Sequence, residues 1–323
     1  MKAWFARHYG GPEVLRLEEA PKPAPKPGEV LVRIHATTVN SGDVRVRGCD
    51  LPRGTKLLGR LALGWTRPRQ PILGTELAGV VDAVGPGVTR FARGDAVYAF
   101  PGAKMGAHAE YAVLPEAGPL AHLPEGLDFH TAAALCFGGT TALQFLRRSG
   151  LRRADTMLVL GGSGAVGMAL VQLGRHLGAA VTATTSTGNI ELVKGLGADR
   201  VIDYTATDIA SLPDRFDIVA DAVGAMDFAT AQRLLEPRGR YLAIAGALAE
   251  MLGSLRPGPQ GKRMIAGPAA ERIEDIVELG RLAAAGLYRP HIERIYPFAD
   301  LPAAHAHVNT GRKRGSIVIA VAE

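Results

Sequence analysis

Six residues carry the clearest chemical spacing in the chain. Gly162, Ser163, Gly164, Ala165, Val166 and Gly167 follow the apolar run Met157–Leu160 and open a helical stretch, Val166–Leu177. A buried strand, a glycine turn and a helix in that order make a cradle for an anion. Gly162 permits the tight turn, Gly164 lets the backbone approach a pyrophosphate, and Gly167 lets the helix pack close to the strand. The helix N-terminus then offers unpaired N–H groups to the bound charge. The competing reading is a glycine-rich turn that binds nothing.

A second test lies at the end of the next strand, where an Asp or Glu would bond the 2′-hydroxyl of an adenosine ribose. The sequence there is Thr184-Thr185-Ser186-Thr187-Gly188-Asn189. No carboxylate in this stretch repels a 2′-phosphate, and the hydroxyls of Thr185, Ser186 and Thr187 can donate to one. Lys194 and Arg200 follow. The pattern favours NADPH over NADH. Each residue also has a plainer role, since Thr and Ser cap helices and Lys194 fits an ordinary solvated helix charge.

The elements that must hold these residues follow from the rhythm of the chain. From residue 1 to about 125, short β-type runs are cut by Gly and Pro: Val30–Ala36, Leu77–Val84, Asp95–Phe100 and Ala109–Val113. The stretch PKPAPKPG, residues 21–28, has four prolines in eight positions and reads as an exposed loop. Beyond Pro124 a helical segment, Phe129–Ser149, leads into alternating strands and helices. Strand-like runs fall at Met157–Leu160, Val181–Thr184, Arg200–Ile202, Asp217–Ala220, Tyr241–Ala245 and Arg263–Ala266, with a further helix at Ile190–Leu196. Six such units predict a doubly wound parallel sheet of Rossmann type over 126–288. The elements His291–Tyr296, Ala303–Asn309 and Ser316–Val321 then return to the first domain, which comprises 1–125 and 289–323. The segment Gly48–Pro71 reads either as a short helix or as a flap, and its Leu57, Leu58, Leu61, Leu63 and Trp65 suit an apolar ligand or the domain's own core.

Composition bounds the rest. The chain has 323 residues, 47% hydrophobic and 21% charged, which suits about two globular domains. Mean hydropathy is +0.09 and glycine is high at 40 residues, in keeping with a loop-rich α/β protein. The net charge of +6 and pI near 9.5 are not gathered into a long basic tract; Arg312, Lys313 and Arg314 form the densest cluster, so nucleic-acid binding is not implied. Two cysteines, Cys49 and Cys136, leave no disulfide framework and no CxxC pattern. The opening MKAWFARHYGG is broken by Lys2, Arg7 and His8, and no run approaches a membrane span. These features predict a cytoplasmic protein without a membrane partner.

Taken together, the segments GGPEVL, PGEVLVRIHATTVNSGDVRVRG, ILGTELAGVVDAVGPGVTRFARGDAVY, the glycine turn, LGADRVIDY, DAVG and GRKRGSIVIAV resemble the medium-chain dehydrogenase/reductase superfamily, and within it the zinc-independent quinone oxidoreductase group. The resemblance spans essentially the whole chain. It implies a GroES-like, β-rich catalytic domain and a cofactor held in a cleft against the Rossmann domain. It also implies cofactor contacts at Thr140 and Thr141, at Ser163 to Val166, at Tyr204, at Val223 and Gly224, and at Ala245 and Gly246. Gly188 departs from the many relatives that carry a basic residue there for the 2′-phosphate, and Lys313 and Arg314 are candidates to compensate. Dimers are usual in the family, and the run Tyr241–Ala247 with LAEMLG is a candidate sheet edge for one.

Zinc-binding members of the superfamily use Cys and a His-Glu pair at the catalytic metal and four cysteines at a structural one. Here Asn40 stands in the region of the first Cys, and Thr75 precedes Glu76 where His-Glu would be. The residue types therefore predict no metal. Without one, the hydride acceptor must already be electrophilic, which points to a small apolar quinone, enone or enal reduced by NADPH. Asn40 is the candidate polar contact to the substrate oxygen; alternatively it closes a turn with Ser41-Gly42-Asp43. A different class of reading is a non-catalytic NADPH-binding sensor or structural protein of the same fold.

Overall fold

The structure is a computed structural model and describes residues 1–50, 56–246, 248–254 and 256–322. Residues 51–55 of the Gly48–Pro71 segment, the side chains of Leu57 and Leu58, and Ala247 lie outside the described residues. The chain forms two compact units, one built from residues 1–50, 56–137 and 271–322 and the other from residues 138–270.

In chain order the first unit contains β1 (Lys2–Ala6), β2 (Leu15–Glu19), β3 (Glu29–Val39), α1 (Ser41–Gly48), α2 (Lys56–Leu63), β4 (Leu77–Val84), β5 (Ala96–Ala99), β6 (Tyr111–Pro115), β7 (Leu120–His122) and α3 (Phe129–Ala133). The helix α4 (Cys136–Ser149) leads into the second unit. That unit holds β8 (Thr156–Leu160), α5 (Ala165–His176), β9 (Ala180–Thr185), α6 (Ile190–Gly195), β10 (Arg200–Asp203), β11 (Phe216–Asp221), α7 (Phe228–Leu234), β12 (Leu235–Ala243), α8 (Leu248–Gly253) and β13 (Arg263–Ala266). The chain then returns with α9 (Ile273–Ala284), β14 (Ile292–Pro297), α10 (Leu301–Asn309) and β15 (Ser316–Ala320).

The first unit is organised by β3, the longest strand. It pairs antiparallel with β15, β4 and β6, while β5 and β7 extend the sheet beyond β4 and β14 lies parallel to β15. Alternating apolar residues of these strands, among them Val30, Val32, Ile34, Leu77, Val81 and Val97, fill one core. Trp4, Leu73, Leu301, Ile317 and Ile319 anchor a second. Such burial contributes about 1.5–3 kcal/mol for each large side chain. The register Ile317↔Val39 sets the start of β15 beside the end of β3, one residue before Asn40. Residues 21–28 form no helix or strand, as four prolines require.

The second unit is a six-stranded, all-parallel sheet in the order β10-β9-β8-β11-β12-β13, the doubly wound arrangement read from the sequence. Its strands read as near-continuous apolar runs because both faces are covered, with Leu158, Leu160, Val219, Leu234 and Tyr241 packed together. Helix α5 lies close to the sheet through two glycines. A Cβ on Gly174 would come within 2.2 Å of Met157 Cε, and one on Gly167 within 2.0 Å of the Gly161 carbonyl oxygen.

Three expectations change. The stretch Phe129–Ser149 is two helices, because Leu135 N–H bonds back only to Ala132 O at 3.3 Å and the last turn of α3 closes on itself. The compact second unit is narrower than 126–288. Residues 126–137 and 271–288 pack in the first unit, where Tyr98 donates to the Ile276 carbonyl at 2.6 Å. Gly280 leaves room for that hydroxyl, since a Cβ there would lie 2.3 Å from Tyr98 Oη. Finally, Tyr241–Ala243 belongs to an interior strand paired on both sides, and the sheet ends at β13.

Candidate active site

In the second unit, the predicted cofactor residues gather at the carboxyl ends of successive strands, where ligands collect in such sheets. After β8, Gly161 takes φ +80° and its N–H is 3.3 Å from Thr184 Oγ1, while Gly162 N–H donates to Thr184 O at 2.8 Å. Gly164 is the N-cap of α5 in extended conformation and supplies no side-chain cap. The N–H groups of Ala165, Val166 and Gly167 therefore have no partner within the helix and point outward from its N-terminus. Over Gly164 a Cβ would meet only the Gly161 oxygen, at 3.7 Å, so its face is open to a close approach. These backbone features fit a pyrophosphate.

The turn after β9 is knitted by amides and hydroxyls. Asn189 Nδ2 donates to Ser186 Oγ at 3.2 Å and to Ser163 Oγ at 3.4 Å, joining this turn to the glycine turn. Thr185 is wholly buried, and its Oγ1 has no hydrogen-bond partner among the described residues. Thr187 is committed: its hydroxyl donates to Asp203 Oδ2 at 2.5 Å. The two nearby cations are committed as well, Lys194 to Glu191 at 2.8 Å and Arg200 to Asp214 at 3.2 Å. Tyr204, which donates its N–H to Thr185 O at 3.1 Å, keeps an exposed ring beside the turn.

Beyond β11, Asp221 carries the next loop. Its carboxylate accepts from Val223, Gly224 and Met226 N–H at 3.0, 2.7 and 3.0 Å and from Tyr241 Oη at 3.0 Å. Burial, followed by the Asp221 charge, pushes the Tyr241 phenol upward. Asp221, Gly224, Tyr241, Ala245 and Gly246 line a cavity of about 280 Å³. Thr140 and Thr141 sit in the second turn of α4. Gly138 explains how α4 reaches this region: a Cβ there would lie 2.6 Å from Ala165 O.

In the first unit, the end of β3 meets a buried polar cluster. Asn40 is the N-cap of α1: its Oδ1 accepts from Gly42 N at 2.9 Å and Asp43 N at 3.3 Å, and Asp43 Oδ2 accepts from Asn40 N at 2.9 Å. This is a reciprocal capping box. Asn40 Nδ2 donates to Thr75 Oγ1 at 2.6 Å. Glu76 is 2% exposed and accepts from Thr38 Oγ1 at 2.5 Å and from Phe137 N at 2.7 Å. Burial pushes the Glu76 carboxyl up to about 7, against the pull of those donors, Asn40 and Lys313. Asp43 rises to about 8, first from burial and then from the Glu76 charge, although the Asn40 and Gly74 N–H groups oppose it. Lys313 falls to about 8 through burial, with Glu76 and Glu293 opposing.

Lys313 and Arg314 are thus occupied within the first unit. Lys313 donates to Gly315 O, and Arg314 pairs with Glu293 at 3.0 Å. At the positions of the zinc ligands, the donors are a neutral amide and a hydroxyl, and the amide oxygen is already spent on the helix cap; this set does not fit a zinc ion. Among the described residues, no group of three or more His, Cys, Asp or Glu side chains is arranged to hold a metal.

Sequence reasoning singled out the glycine turn, the β9 turn, Tyr204 and the loops after β11 and β12. It missed Asp221 as the loop's anchor and Asn189 as the link between turns. The signal for Asp221 was present: an Asp three residues before a glycine.

A doubly wound sheet with an open glycine turn, joined in one chain to a β-rich unit, defines a two-domain oxidoreductase that uses a nicotinamide cofactor. The profile described as "Alcohol dehydrogenase GroES-like domain" matches residues 26–125, and that described as "Zinc-binding dehydrogenase" matches residues 196–319. The "2-methylene-furan-3-one reductase" of Solanum lycopersicum is 34% identical over 99% of this chain and 79% of its own length. The "NADPH-dependent alkenal/one oxidoreductase, chloroplastic" of Arabidopsis thaliana is 32% identical with the same coverage, 99% and 79%. The solved quinone oxidoreductase of Coxiella burnetii superposes with a TM-score of 0.87 at 27% identity, covering 100% of this chain and 99% of that one. The chain belongs to the medium-chain dehydrogenase/reductase superfamily, in its quinone oxidoreductase group.

Proposed function

We propose that this chain is a zinc-independent, NADPH-dependent reductase that transfers hydride to a quinone or an α,β-unsaturated carbonyl. The observation that carries the reading is the hydrogen-bonded set Asn40, Thr75 and Glu76 at the end of β3. An amide and a hydroxyl stand where metal ligands would, and they hold each other in place. A site of this kind cannot polarise a simple alcohol or ketone as a Lewis acid does. It suits an acceptor whose carbon is already electrophilic and whose oxygen needs only hydrogen bonds as charge develops.

When bound, a reduced nicotinamide supplies the hydride. The chain supplies the rest. The α5 N-terminus and the Gly161–Gly164 backbone hold the pyrophosphate, Ser186 and Asn189 meet the adenosine ribose, and Tyr204 flanks it. The preference for NADPH rests on the absence of a carboxylate at the end of β9, and the NADPH dependence in the name of the Arabidopsis relative agrees with it. A homodimer is the working form we propose, supported by the sheet edge at β13. A cytoplasmic location is supported by two cysteines that form no disulfide. Among the described residues, no helix is long and apolar enough to cross a membrane.

The test is oxidation of NADPH and NADH, followed by absorbance, with phenanthrenequinone, benzoquinone, an enal and a saturated aldehyde as acceptors. Turnover with a quinone or the enal, faster with NADPH than with NADH and absent with the saturated aldehyde, supports the reading. NADPH binding without turnover of any acceptor favours the sensor or structural role.

A further inference from the structure

The loops at the amino ends of the parallel strands take no part in the reading above. Arg215 directly precedes β11, Leu235, Glu236 and Pro237 open β12, and Gln260 and Lys262 stand just before β13. Because these strands run parallel, the three openings fall on one edge of the sheet, while Gly224 and Ala245 lie past the opposite ends. At about 3.3 Å per residue, the six residues of β11 separate the two edges by roughly 20 Å. A cleft of about 460 Å³ lies at the amino edge, a size that suits a small ligand. Three cations line it, Arg215, Arg233 and Lys262, with the amides of Gln232 and Gln260 and a single carboxylate, Glu236.

Much of this donor capacity is unspent. Arg233, in the last turn of α7, makes no hydrogen bond or ion pair among the described residues; its charge helps to lower the Asp227 carboxyl, whose main partner is Thr230 N–H. Arg215 spends only Nη1, on the Pro213 and Asp214 carbonyls at 3.4 and 3.2 Å, which leaves Nε and Nη2. Lys262 gives one of its three hydrogens to Gln232 O at 2.7 Å. Its loop is closed by Gly258 N–H on Lys262 O at 2.7 Å and Lys262 N–H on Pro259 O at 3.1 Å. At the tip of that loop Gln260 takes the left-handed backbone, φ 56° and ψ 25°, which favours glycine. A Cβ on Gly258 would lie 2.8 Å from Gln232 Nε2, so the loop comes close against that amide. The plain role for cations here is to meet the carbonyl end of α7, and one N–H of Lys262 does so. That role does not need Arg215, which comes from another loop.

We propose that this cleft is a second binding site, separate from the cofactor turn, for a small phosphate-bearing anion. The guanidinium groups supply forked donors that match phosphate oxygens, Lys262 adds a point charge, and the two amides can donate to further oxygens. The surplus of positive charge suits a multiply charged anion such as a diphosphate. Exposed Ala229 and Pro237 add apolar surface beside the cations for an organic part.

The experiment titrates this chain, with NADPH present at saturation so that the glycine turn is filled, with inorganic pyrophosphate and separately with ADP by isothermal titration calorimetry. Saturable binding is expected, weakened by added salt and weakened about tenfold or more in Arg233→Gln and in Arg215→Gln through loss of a charged hydrogen bond. The thermal midpoint, kcat and KM for NADPH of Arg233→Gln should match wild type, because that side chain has no partner in the fold. Tighter binding of ADP than of pyrophosphate assigns the organic part to the cleft, and equal binding assigns the phosphates alone; both support the site. No saturable heat with either anion at millimolar concentration overturns the proposal, and so does binding that is unchanged in both arginine variants. Pyrophosphate binding that occurs only without NADPH also overturns it, since the anion would then occupy the glycine turn. The arginine variants attribute the heat to the cleft whether or not the chain binds NADPH, so failure of the reductase reading leaves this test intact.

Discussion

Gly188 stands in the β9 turn with open space around it; a Cβ there would meet nothing within 4 Å. The nearby cations are already paired, Lys194 with Glu191 and Arg200 with Asp214. In the proposed NADPH reading, recognition of the 2′-phosphate falls to neutral donors such as Ser186 and Asn189, which bond an anion about half as strongly as a guanidinium does. Gly188→Arg should therefore lower the KM for NADPH about tenfold, the worth of roughly 1.4 kcal/mol from one charged hydrogen bond, and leave that for NADH unchanged. An unchanged NADPH KM in steady-state kinetics would show that the phosphate does not come to this turn. Glu76 makes a separate prediction about pH. Its carboxyl is raised from 4.5 to about 7, so the folded chain holds that proton more tightly than the unfolded chain. The associated stability is present below 4.5 and is lost as pH rises through about 7. Asp43 runs in the same direction. His108, pushed down to about 4 by burial, runs the other way and loses stability as pH falls from 6.5 towards 4. Glu76→Gln removes the first contribution together with the part of the Asp43 shift that the Glu76 charge causes. The stability of wild type relative to Glu76→Gln should be highest below pH 4.5 and decline towards pH 8, by an amount on the order of 3 kcal/mol, followed through the thermal midpoints. A difference that does not vary with pH would show that Glu76 is charged throughout.

In the proposed reading cofactor binding depends on helix α5, and Gly167 sets the distance of its N-terminus from the turn after β8. A Cβ on Gly167 would lie 2.0 Å from the Gly161 oxygen and 2.8 Å from its carbon, both backbone atoms that cannot swing aside. Gly167→Val should push α5 off the glycine turn, costing at least the ~1–3 kcal/mol of an overpacked core and abolishing NADPH fluorescence enhancement. Retained NADPH affinity with a normal melting curve would show that the helix is free to shift. The same element shows what a sequence can disclose. All six strands of the parallel sheet were legible because buried strands are continuous apolar runs, and only β12 begins well before its expected start. The glycine turn was legible because glycine is the one residue type that its close contacts admit. The break between α3 and α4 and the return of α9 to the first unit were not legible. They depend on single contacts between distant residues, Tyr98 with Ile276 above all, which leave no periodic trace. In the candidate site the identities of Asn40, Thr75 and Glu76 were plain from the sequence. Which of them donates to which was not, because that depends on the direction of a hydrogen bond.

At the scale of the whole molecule, the proposed independence from metal has the widest consequence. A catalytic zinc needs three protein ligands drawn from thiolate, imidazole and carboxylate, set about 2.0–2.3 Å from the ion. This chain offers Asn40 and Thr75 at two of those positions, and both are tied into the cap of α1. Its two cysteines give no help: Cys136 is buried with its thiol pushed well upward, which disfavours the thiolate that a metal requires, and Cys49 takes the left-handed C-cap of α1 at φ 51°. Burial likewise holds His108 and His305 neutral, and the fold uses them as packing partners, their rings edge to face at 5.2 Å. The ligand types that could bind zinc are thus dispersed through the structure and engaged elsewhere. Dialysis against a strong chelator should leave kcat with quinone or enal unchanged, and elemental analysis of the active protein should find zinc well below one equivalent per chain. Loss of turnover on dialysis, restored by added zinc, would overturn the metal-free mechanism and return the reaction to Lewis-acid chemistry.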